Sequence, residues 1–443
     1  MSIPIDNYKK NAKVKKHSKG YIKDISAYAS NLKENNLPVI FSITHLAKCL
    51  EIKPSELLSI AEYGNFFDIK RQSIPFIKIE IESKSLWKHI TCYIENIKRK
   101  INRIGKKEKG FKFSETFGKT LPNTISRFNN ETENYYYDDP NEYNIINSNY
   151  KFFKLNKKKG GHREIMAPKG QLKNIQKWIN HYILKQVEIH SNCFGFVPGR
   201  SIKGNALKHI NQECILNLDL LKFFDTITQE RVFGMFKQLG YHPNLARLLA
   251  SLTTARHKEW YWDQIDLVKH PELNKLINKK PKILPQGAPT SPAISNILCR
   301  RLDNRLYKLA IKLNCSYSRY ADDITFSGKK VNLPSLNLIT KIINEEGFYL
   351  NKDKIGHYSK GSKQYVTGLN INAGVRVPRK LKREIKQILH YCKINGIKNH
   401  IKNTGIEKKH FKEWLEGNIA FIHDIEPEKA KIFWSQFNEL DWE

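Results

Sequence analysis

The segment Ser316–Gly328 constrains the fold more than any other, because two adjacent acids interrupt a strand pattern there. A short run of aromatic and hydroxyl residues precedes Asp322 and Asp323. In residues 324–327, apolar and hydroxyl side chains then alternate with the period of a β-strand. We predict a β-hairpin whose tight turn carries both acids.

Two like charges side by side repel each other unless something neutralises them. A divalent cation does so well, and the hard oxygens of Asp322 and Asp323 suit Mg²⁺. An exposed acidic turn is the alternative, and for an isolated pair it is the more frequent one. The rest of the chain has to distinguish these two interpretations.

The charge of the chain points to a polyanionic partner. The 443 residues include 76 Lys and Arg against 43 Asp and Glu, a formal net charge of +33. An enzyme of small molecules has no use for that excess, whereas nucleic acid binds basic proteins through displaced counterions. The length and the 40% hydrophobic content allow two or three domains with a real core.

The sequence predicts a cytoplasmic protein without a membrane partner. No stretch approaches the ~18–20 apolar residues of a spanning helix, and the N-terminus lacks an apolar signal core. The seven cysteines are scattered and form no Cys-x-x-Cys pair. That pattern argues against disulfides and against a structural zinc site, and it fits a reducing compartment.

The N-terminal third shows patterns of secondary structure rather than candidate catalytic residues. A basic arm over residues 1–20 precedes two or three short helices, with starts near Ser42 and Pro54. A half-buried strand is predicted within residues 64–85, and a basic amphipathic helix over 85–105. The Tyr-Asp-Asp triplet at 137–139 lies in a loop-like region without strand flanks, so we assign it no metal.

A third acid, Asp219, stands in the mostly apolar strand Ile215–Leu220. Burying it unpaired would be costly. A metal ligand at a strand edge explains it, and a salt-bridged structural Asp is the alternative. Phe223 and Phe224 follow this strand. One of the two rings can pack in the core, while the other stands beneath an incoming sugar and excludes a 2′-hydroxyl.

Several further segments could bind phosphate or a polynucleotide backbone. Residues 151–165 predict a hairpin with a glycine turn that could cover a triphosphate, although a solvated turn is the alternative. A Gly/Pro loop carries Arg200, and Asn205 and His209 share one face of the following helix. Gln286 lies in a dense turn cluster that opens another helix, a setting suited to nucleotide or template backbone.

These blocks, in this order, resemble reverse transcriptases, specifically the retron branch of the bacterial enzymes. Tyr320-Ala-Asp-Asp323 resembles the family's acidic hairpin, and Asp219 with Phe223-Phe224 resembles its first metal-binding strand. The segments that resemble other family blocks are Gln286–Pro292, Gly347–Lys354, and two marks of the retron branch, Asn205-Ala-Leu-Lys-His209 and Val366-Thr-Gly368. The resemblance covers roughly residues 150–443, and residues 64–149 depart from it as an atypical insert.

The resemblance implies an α+β right-hand polymerase with fingers, a palm built on an antiparallel sheet, a helical thumb and a mainly helical N-terminal extension. It divides the chain into four segments. They are residues 1–63 (basic arm and N-terminal helices), 64–149 (insert), 150–375 (fingers and palm) and 376–443 (thumb).

The implied activity is RNA-directed DNA polymerisation with two Mg²⁺ ions. The metal-binding candidates are Asp219, Asp322, Asp323 and the backbone carbonyl of Leu220. The nucleotide-binding candidates are Arg163 with Lys157 or Lys158 on the phosphates, Phe224 as a sugar gate, and Gln286. The candidates for RNA binding are Arg200, Asn205, His209, Val366, Thr367 and Gly368.

The implied template is a cognate structured non-coding RNA, whose 2′-hydroxyl could also prime synthesis and leave a branched RNA–DNA product. The implied substrates are dNTPs, and an effector protein encoded nearby would act with the enzyme in phage defence. Two alternatives stay open. One is a defence-associated or intron-like reverse transcriptase outside the retron branch, and the other is an inactive RNA-binding scaffold, against which the three acids argue.

Overall fold

The computed structural model describes residues 19–61, 149–156, 162–404 and 410–442. Several predicted features lie outside these residues: most of the basic arm, the strand in 64–85, the helix over 85–105, the triplet at 137–139, and Lys157 and Lys158.

The described chain is mostly helical, with three small antiparallel sheets. The α-helices are α1 (Lys19–Glu34), α2 (Ile43–Cys49), α3 (Pro54–Ile60), α4 (Gly170–Tyr182), α5 (Ile202–Leu207), α6 (Gln229–Gln238), α7 (Pro243–Thr253), α8 (Glu259–Asp263), α9 (Asn274–Lys279), α10 (Ser291–Leu298), α11 (Arg300–Lys312), α12 (Leu336–Glu345), α13 (Arg379–Asn395), α14 (Ile397–Thr404), α15 (Phe411–Ile425) and α16 (Pro427–Asn438). The strands are β1 (Tyr150–Asn156), β2 (His162–Pro168), β3 (Cys214–Asp219), β4 (Ser316–Tyr320), β5 (Asp323–Gly328), β6 (Gly356–Ser359), β7 (Tyr365–Val366) and β8 (Leu369–Asn370).

The chain forms two compact units that exchange segments along the sequence. One unit takes residues 1–188 and 224–298, and the other takes residues 189–223 and 299–443. We call them the first and the second unit. The four segments predicted from the sequence stay a prediction, because these units follow spatial contacts rather than chain order.

The second unit is built on a four-stranded antiparallel sheet in the order β4-β5-β3-β6. The central strand β3 is buried on both faces, which explains its nearly continuous apolar run. Asn217 is its half-buried exception. Its amide donates to the Tyr365 carbonyl at 2.7 Å and its oxygen accepts from the Thr325 hydroxyl at 3.0 Å.

The C-terminal helices of the second unit pack around an apolar cluster that also includes Ala206 of α5 and Ile215 of β3. Ile385 of α13, Leu415 and Ile419 of α15, and Phe437 of α16 belong to it. Glu426, between α15 and α16, accepts hydrogen bonds from the Val377 amide at 2.9 Å and from the Lys382 ammonium at 2.6 Å. The start of α13 is thereby tied to the junction of the last two helices.

The first unit contains the N-terminal helices, the β1–β2 hairpin and helices α4 and α6–α10. Ser42 caps α2 by accepting from the His45 amide at 3.1 Å, and Pro54 begins α3, as the sequence predicted. The Gln176 amide of α4 donates to the Leu252 carbonyl at 2.9 Å and so joins α4 to the core helix α7.

In the C-terminal region the sequence predicts a loop near residues 395–405 and a helix that ends near Glu416-Gly417, and both predictions are wrong. A helix end was expected near residues 416–417, but α15 continues to Ile425 with Gly417 in its interior. A Cβ at Gly417 would meet no atom within 4 Å, so this glycine is on an open face. Residues expected to be a loop after Asn395 form α14, and only Gly396, at φ +75°, separates it from α13.

Two further findings concern the described residues as a whole. Within 19–61, 149–156, 162–404 and 410–442, no helix combines the length and apolar character needed to cross a bilayer. The cysteines in this part of the chain are free thiols: Cys49, Cys193, Cys214, Cys299, Cys315 and Cys392.

Candidate active site

The predicted acidic hairpin is present in the second unit. Tyr320 at the end of β4 pairs with Asp323 at the start of β5, so Ala321 and Asp322 form a two-residue turn. Ala321 has φ +57°, a left-handed conformation that tight hairpin turns require. The Leu220 amide donates to the Asp322 carbonyl at 3.0 Å, which ties this turn to the end of β3.

The antiparallel register of β3 and β5 places Asp219 directly opposite Asp323. Side chains of directly opposed residues lie on the same face of a sheet. The carboxyl group of Asp219, from a distant part of the sequence, is therefore brought to the edge where Asp322 and Asp323 lie. Asp219 is 7% exposed, and its carbonyl accepts from the Asn351 amide at 2.8 Å.

The three acids are close enough for their charges to affect the pKa of Asp323. Asp323 is exposed as a whole residue, but the surrounding protein removes part of the solvent from its carboxyl group. Desolvation, followed by the negative charges of Asp322 and Asp219, raises the pKa of Asp323 to about 7, and Lys354 offsets part of this rise. A carboxyl group with such a pKa marks a point where added positive charge would be stabilising.

Lys354 and Asn351 hold the Asp219 carboxylate. The Lys354 ammonium donates to its two oxygens at 3.0 and 2.8 Å, and the Asn351 amide donates at 3.1 Å. The salt-bridged alternative left open by the sequence is thus what this structure shows for Asp219. In the described part of the chain, no three His, Cys, Asp or Glu side chains are already grouped to hold a metal ion.

A buried ion pair, Arg319 with Asp303, contacts the acidic turn. Arg319 and Asp303 are both 0% exposed, and the guanidinium donates to the two carboxylate oxygens at 2.7 and 2.8 Å. The same guanidinium donates to the Ala321 carbonyl at 2.9 Å. Burial opposes the charge on Arg319, but Asp303 outweighs it and keeps the pKa of Arg319 above its usual value.

Asn205 and His209 are interior residues, and this corrects their predicted contact with RNA. They are 1% and 0% exposed. The two ring nitrogens of His209 lie 2.7 Å from the hydroxyls of Ser318 in β4 and Ser327 in β5. Desolvation lowers the pKa of His209 to about 3, so the ring is neutral. His209 contacts both strands of the acidic hairpin rather than a polynucleotide.

The other mark of the retron branch forms the β7–β8 turn. Thr367 and Gly368 have φ +46° and +81°, the conformations of a two-residue hairpin loop. Val366 is fully buried in the core, so its predicted contact with RNA is corrected in the same way. The side-chain nitrogen of Asn205 lies 3.5 Å from the Thr367 hydroxyl, so the two segments that resemble retron sequences are in contact. Only Thr367 and Gly368 of this segment can reach a ligand.

Arg200 supports its own loop. Its guanidinium donates to the His190 carbonyl at 2.6 Å and to the Cys193 carbonyl at 2.5 Å. The expected phosphate contact would have to use the remaining donors of this half-buried side chain.

The remaining candidates for nucleotide binding belong to the first unit. Arg163 is exposed on β2. The same strand contacts the predicted turn cluster, because the Met166 amide donates to the Gln286 carbonyl at 2.7 Å. A Cβ at Gly287 would lie 2.8 Å from Ile165, so this close approach requires glycine. Phe224 is half-buried.

Phe223 is the ring that serves the core, as the sequence analysis proposed for one of the two. It belongs to the second unit, is 5% exposed, and packs against Phe348 with ring centroids 5.5 Å apart. Phe224 is thereby left as the candidate sugar gate.

The sequence did not reveal which side chains hold the acidic turn and Asp219 in place. Arg319 received no role in the sequence analysis, although a charged residue requires a partner wherever its strand is buried. That partner, Asp303, lies beside the apolar positions Leu302 and Leu306 of α11, so its helical position indicated burial. Asn351 and Lys354 were noted only as parts of a matching block. No local pattern could show that they reach Asp219.

Comparisons with known proteins identify relatives of this chain. Residues 155–398, over half of the chain, match the family described as reverse transcriptase (RNA-dependent DNA polymerase). The retron Mx162 reverse transcriptase of Myxococcus xanthus is 34% identical over 312 residues, covering 66% of this chain and 61% of the relative. The retron Ec86 reverse transcriptase of Escherichia coli is 32% identical over 282 residues, covering 63% of this chain and 77% of the relative.

This chain belongs to the reverse transcriptase family, in its retron-type bacterial branch. The predicted α+β right-hand polymerase fold is confirmed with it. Among solved structures, telomerase from Candida albicans with a telomeric RNA fragment aligns over 66% of this chain and 57% of that chain, at TM-score 0.32 and 12% identity. The family assignment rests on the sequence matches.

Proposed function

We propose that the protein is an RNA-directed DNA polymerase that copies a structured non-coding RNA into single-stranded DNA. The observation that carries this proposal is the register that sets Asp219 opposite Asp323, with Asp322 in the adjoining turn. The family membership of the chain supports the same reaction.

The donor set fits divalent cations. Asp219, Asp322 and Asp323 supply hard carboxylate oxygens, and the raised pKa of Asp323 reflects an excess of negative charge. These residues, with the backbone carbonyl of Leu220, would hold two Mg²⁺ ions. When bound, Mg²⁺ would neutralise the triphosphate and favour ionisation of the primer hydroxyl. Binding would require the Lys354 ammonium to leave Asp219.

The reaction is an in-line displacement. The terminal hydroxyl of the primer loses its proton and attacks the α-phosphorus of a dNTP, forming a P–O bond as the bond to pyrophosphate breaks. The residues of this chain keep the three carboxylates on one sheet edge. Arg319 fixes the turn through the Ala321 carbonyl, and His209 spans the two hairpin strands.

The proposed nucleotide-binding residues lie in the first unit. We propose that Arg163, with Lys157 or Lys158, binds the triphosphate, that Gln286 lines the nucleotide pocket, and that Phe224 excludes a 2′-hydroxyl. The support is the exposure of Arg163, the contact of β2 with the Gln286 segment, and the placement of Phe223 in the core.

The proposed template is a cognate non-coding RNA that also supplies the priming 2′-hydroxyl, so that the DNA product stays joined to RNA. Thr367, Gly368 and the remaining donors of Arg200 are the proposed RNA contacts. Asn205 and Val366 support the Thr367 turn from the interior, whereas His209 holds the acidic hairpin. We further propose a cytoplasmic role in phage defence, together with an effector protein encoded nearby.

The test uses the purified full chain, the transcript encoded beside its gene, Mg²⁺ and labelled dNTPs. We expect labelled DNA whose formation requires that RNA and whose electrophoretic mobility changes after RNase treatment. Asp322→Asn combined with Asp323→Asn should remove incorporation. Asp424→Asn, an exposed acid on α15, is the matched control and should leave incorporation unchanged.

The possible results separate the candidate functions. Product that stays attached to RNA through a 2′-linkage supports the retron reaction. DNA synthesis only from an added primer favours the other reverse transcriptases. Tight RNA binding without incorporation on any primed template would favour the inactive scaffold. Wild-type activity in the double Asn variant would refute the assigned acids.

A further inference from the structure

We propose that Asp225 and Tyr261 are positioning residues for the sugar gate Phe224, and that the Tyr261 hydroxyl sets how strongly the enzyme rejects ribonucleotides. The proposal rests on the polymerase function proposed above and adds to it the residues that hold the gate in place. All three residues belong to the first unit, which also contains the β1–β2 hairpin with Arg163. Asp225 directly follows Phe224 in the sequence, whereas Tyr261 comes from helix α8.

Phe224 begins a tight turn whose backbone is held by further contacts. The Phe224 carbonyl accepts from the Ile227 amide at 3.1 Å, which makes Asp225 and Thr226 the central residues of a four-residue β-turn. The Arg231 guanidinium donates to the Thr226 carbonyl at 3.0 Å. A side chain that holds Asp225 in this turn therefore also restrains the residue before it.

The Asp225 carboxylate is buried and accepts a hydrogen bond from the Tyr261 hydroxyl. Asp225 is 2% exposed and Tyr261 is 7% exposed. A buried carboxylate is costly unless donors reach it, and hydrogen bonds to a charged acceptor are stronger than those between neutral groups. Burial, followed by the negative charge of Asp225, raises the pKa of Tyr261 well above its usual value, so the hydroxyl keeps the proton that it donates.

Ring contacts continue from Tyr261 to the first strand of the hairpin. The Tyr261 ring stacks on His257, with centroids 3.6 Å apart and planes inclined by 20°. The His257 ring meets Phe152 of β1 edge to face, at 5.9 Å between centroids. Lys154, two residues further along β1, places its ammonium 4.7 Å from the centroid of the Trp260 ring. Since residues two apart share one face of a strand, this face of the hairpin rests on the 257–261 segment.

Two backbone contacts join the turn and the hairpin to the segment that carries Gln286. The Leu284 amide donates to the Ile227 carbonyl at 2.9 Å. The Met166 amide of β2 donates to the Gln286 carbonyl at 2.7 Å. The gate turn, the Gln286 segment and the hairpin are therefore connected, and the bond between Tyr261 and Asp225 is a further link among them.

Arg163, the proposed phosphate-binding residue, belongs to the other face of the same hairpin. It stands opposite Leu155 in the register of β1 and β2, and Leu155 alternates with Lys154. A gate that rejects one hydroxyl group has to be held closely in place, because a displacement of about 1 Å can change a rate about 100-fold. Supporting the gate and the hairpin by one cluster would keep the sugar and the triphosphate in a constant relation.

The test compares a deoxynucleotide with a ribonucleotide on the full chain. Extension of a primed RNA template by one residue, with dGTP or GTP opposite the same template base, gives the ratio of the two kcat/KM values. Tyr261→Phe keeps the ring that stacks on His257 and removes only the hydroxyl. We expect this ratio to fall about tenfold, chiefly through better use of GTP, as for the loss of one hydrogen bond to a charged group.

Tyr241→Phe is the matched control in the same unit. Tyr241 is 1% exposed, and its hydroxyl donates to the Pro38 carbonyl at 3.2 Å. Both variants lose a buried tyrosine hydroxyl and should lose similar thermal stability, but only Tyr261→Phe should change the ratio. Asp225→Asn keeps an oxygen that can accept from Tyr261 and should retain most of the discrimination, whereas Asp225→Ala should lose it as Tyr261→Phe does.

A variant of the gate tests whether Tyr261 acts through Phe224. Phe224→Ala should lower the ratio by itself, and adding Tyr261→Phe should lower it no further. Additive effects of the two changes would overturn the positioning role. An unchanged ratio in Tyr261→Phe would also overturn the proposal, as would an equal fall in Tyr241→Phe.

The same measurements separate this inference from the proposed function. A protein that extends the primer with dGTP, and whose ratio is the same in the wild type and in Tyr261→Phe, would refute only the inference. A wild-type protein that incorporates no nucleotide would refute the polymerase function and the inference that rests on it. A ratio that falls in Tyr261→Phe but not in Phe224→Ala would overturn both the sugar gate and its proposed support.

Discussion

Single buried side chains determine the geometry of the acidic turn. Arg319 is in contact with Asp303 on one side and with the Ala321 carbonyl on the other. A buried ion pair adds little net stability compared with apolar residues of similar size, yet losing one partner leaves an unpaired buried charge. The Arg319–Asp303 pair therefore affects the position of the acidic turn and the stability of the fold differently, and the two effects can be measured separately.

The first prediction concerns this pair. Arg319→Met alone should lower the free energy of unfolding by about 3–5 kcal/mol, because Asp303 stays buried and unpaired. Arg319→Met with Asp303→Leu should recover most of that loss. The double variant should still polymerise more slowly, by up to about 100-fold, because the Ala321 carbonyl loses its donor. Urea unfolding and single-turnover kinetics measure the two effects. A stable double variant with the wild-type rate would contradict the positioning role.

The second prediction concerns His209, whose pKa is lowered from 6.5 to about 3 in the folded state. The unfolded chain takes up a proton first as pH falls, so the stability from this neutral ring is complete above pH 6.5 and is lost toward pH 3. The loss reaches about 2 kcal/mol at pH 5. The stability advantage of the wild type over His209→Gln should narrow by that amount between pH 8 and pH 5, as measured by urea unfolding. A constant difference would contradict the prediction.

The third prediction concerns Lys354, whose ammonium forms a salt bridge with Asp219 and would compete there with the proposed cations. Lys354→Met should tighten Mn²⁺ binding about fivefold, the effect expected from removing one partly exposed positive charge. Electron paramagnetic resonance of free Mn²⁺ in a titration measures this directly. Lys352→Met, an exposed neighbour, is the control. Weaker Mn²⁺ binding in Lys354→Met would show that Lys354 assists the metal site instead.

At the scale of elements, strand patterns predicted more than helix boundaries did. The apolar run before Asp219 and the alternation after Asp323 identified β3 and β5, because strand faces follow directly from residue type. The end of α15 was misplaced because Gly417 breaks a helix only where packing does not hold it. Pairing of β3 with β5 was not readable locally, because partners about one hundred residues apart are selected by tertiary contacts.

The fourth prediction concerns the junction of α15 and α16. Glu426→Gln should destabilise the C-terminal helices by about 1–3 kcal/mol, because its contacts to Lys382, Lys429 and the Val377 amide lose their charge. Faster amide exchange in α13, α15 and α16 should report the change. Glu428→Gln is the control, since its side chain is 80% exposed and pairs only locally with Lys431. Equal amide-exchange rates in the Glu426→Gln and Glu428→Gln variants would contradict the proposed role of Glu426 in joining these helices.

At the scale of the whole molecule, the formal net charge of +33 is the dominant property. The sequence alone predicted a polyanionic partner from this excess, and it did so without knowledge of any contact. The structure adds where exposed cations are concentrated, for example Lys380, Arg383 and Lys386 on α13.

The fifth prediction is a steep dependence of nucleic-acid binding on salt. If six or more phosphates are neutralised, affinity for a primed RNA should fall at least about 10³-fold between 50 and 200 mM salt. Replacing Lys380, Arg383 and Lys386 by Gln should lower the slope of log K against log salt by about three. Fluorescence anisotropy at several salt concentrations measures both. An unchanged slope would show that α13 does not contact the backbone.

The pairing of Asp219 with Asp323 also limits how this protein can change over time. Side chains in a strand alternate between two faces, so a shift by one residue moves every following side chain to the other face, whereas a shift by two does not. Loss of one residue inside β5 would turn Asp323 away from Asp219, whereas loops of any length outside the strands leave that alternation intact. Changes of loop length between β3 and β4 that spare the residues named above therefore keep the three acids together, whereas the six-residue strand β5 cannot lose a single residue without separating Asp323 from Asp219.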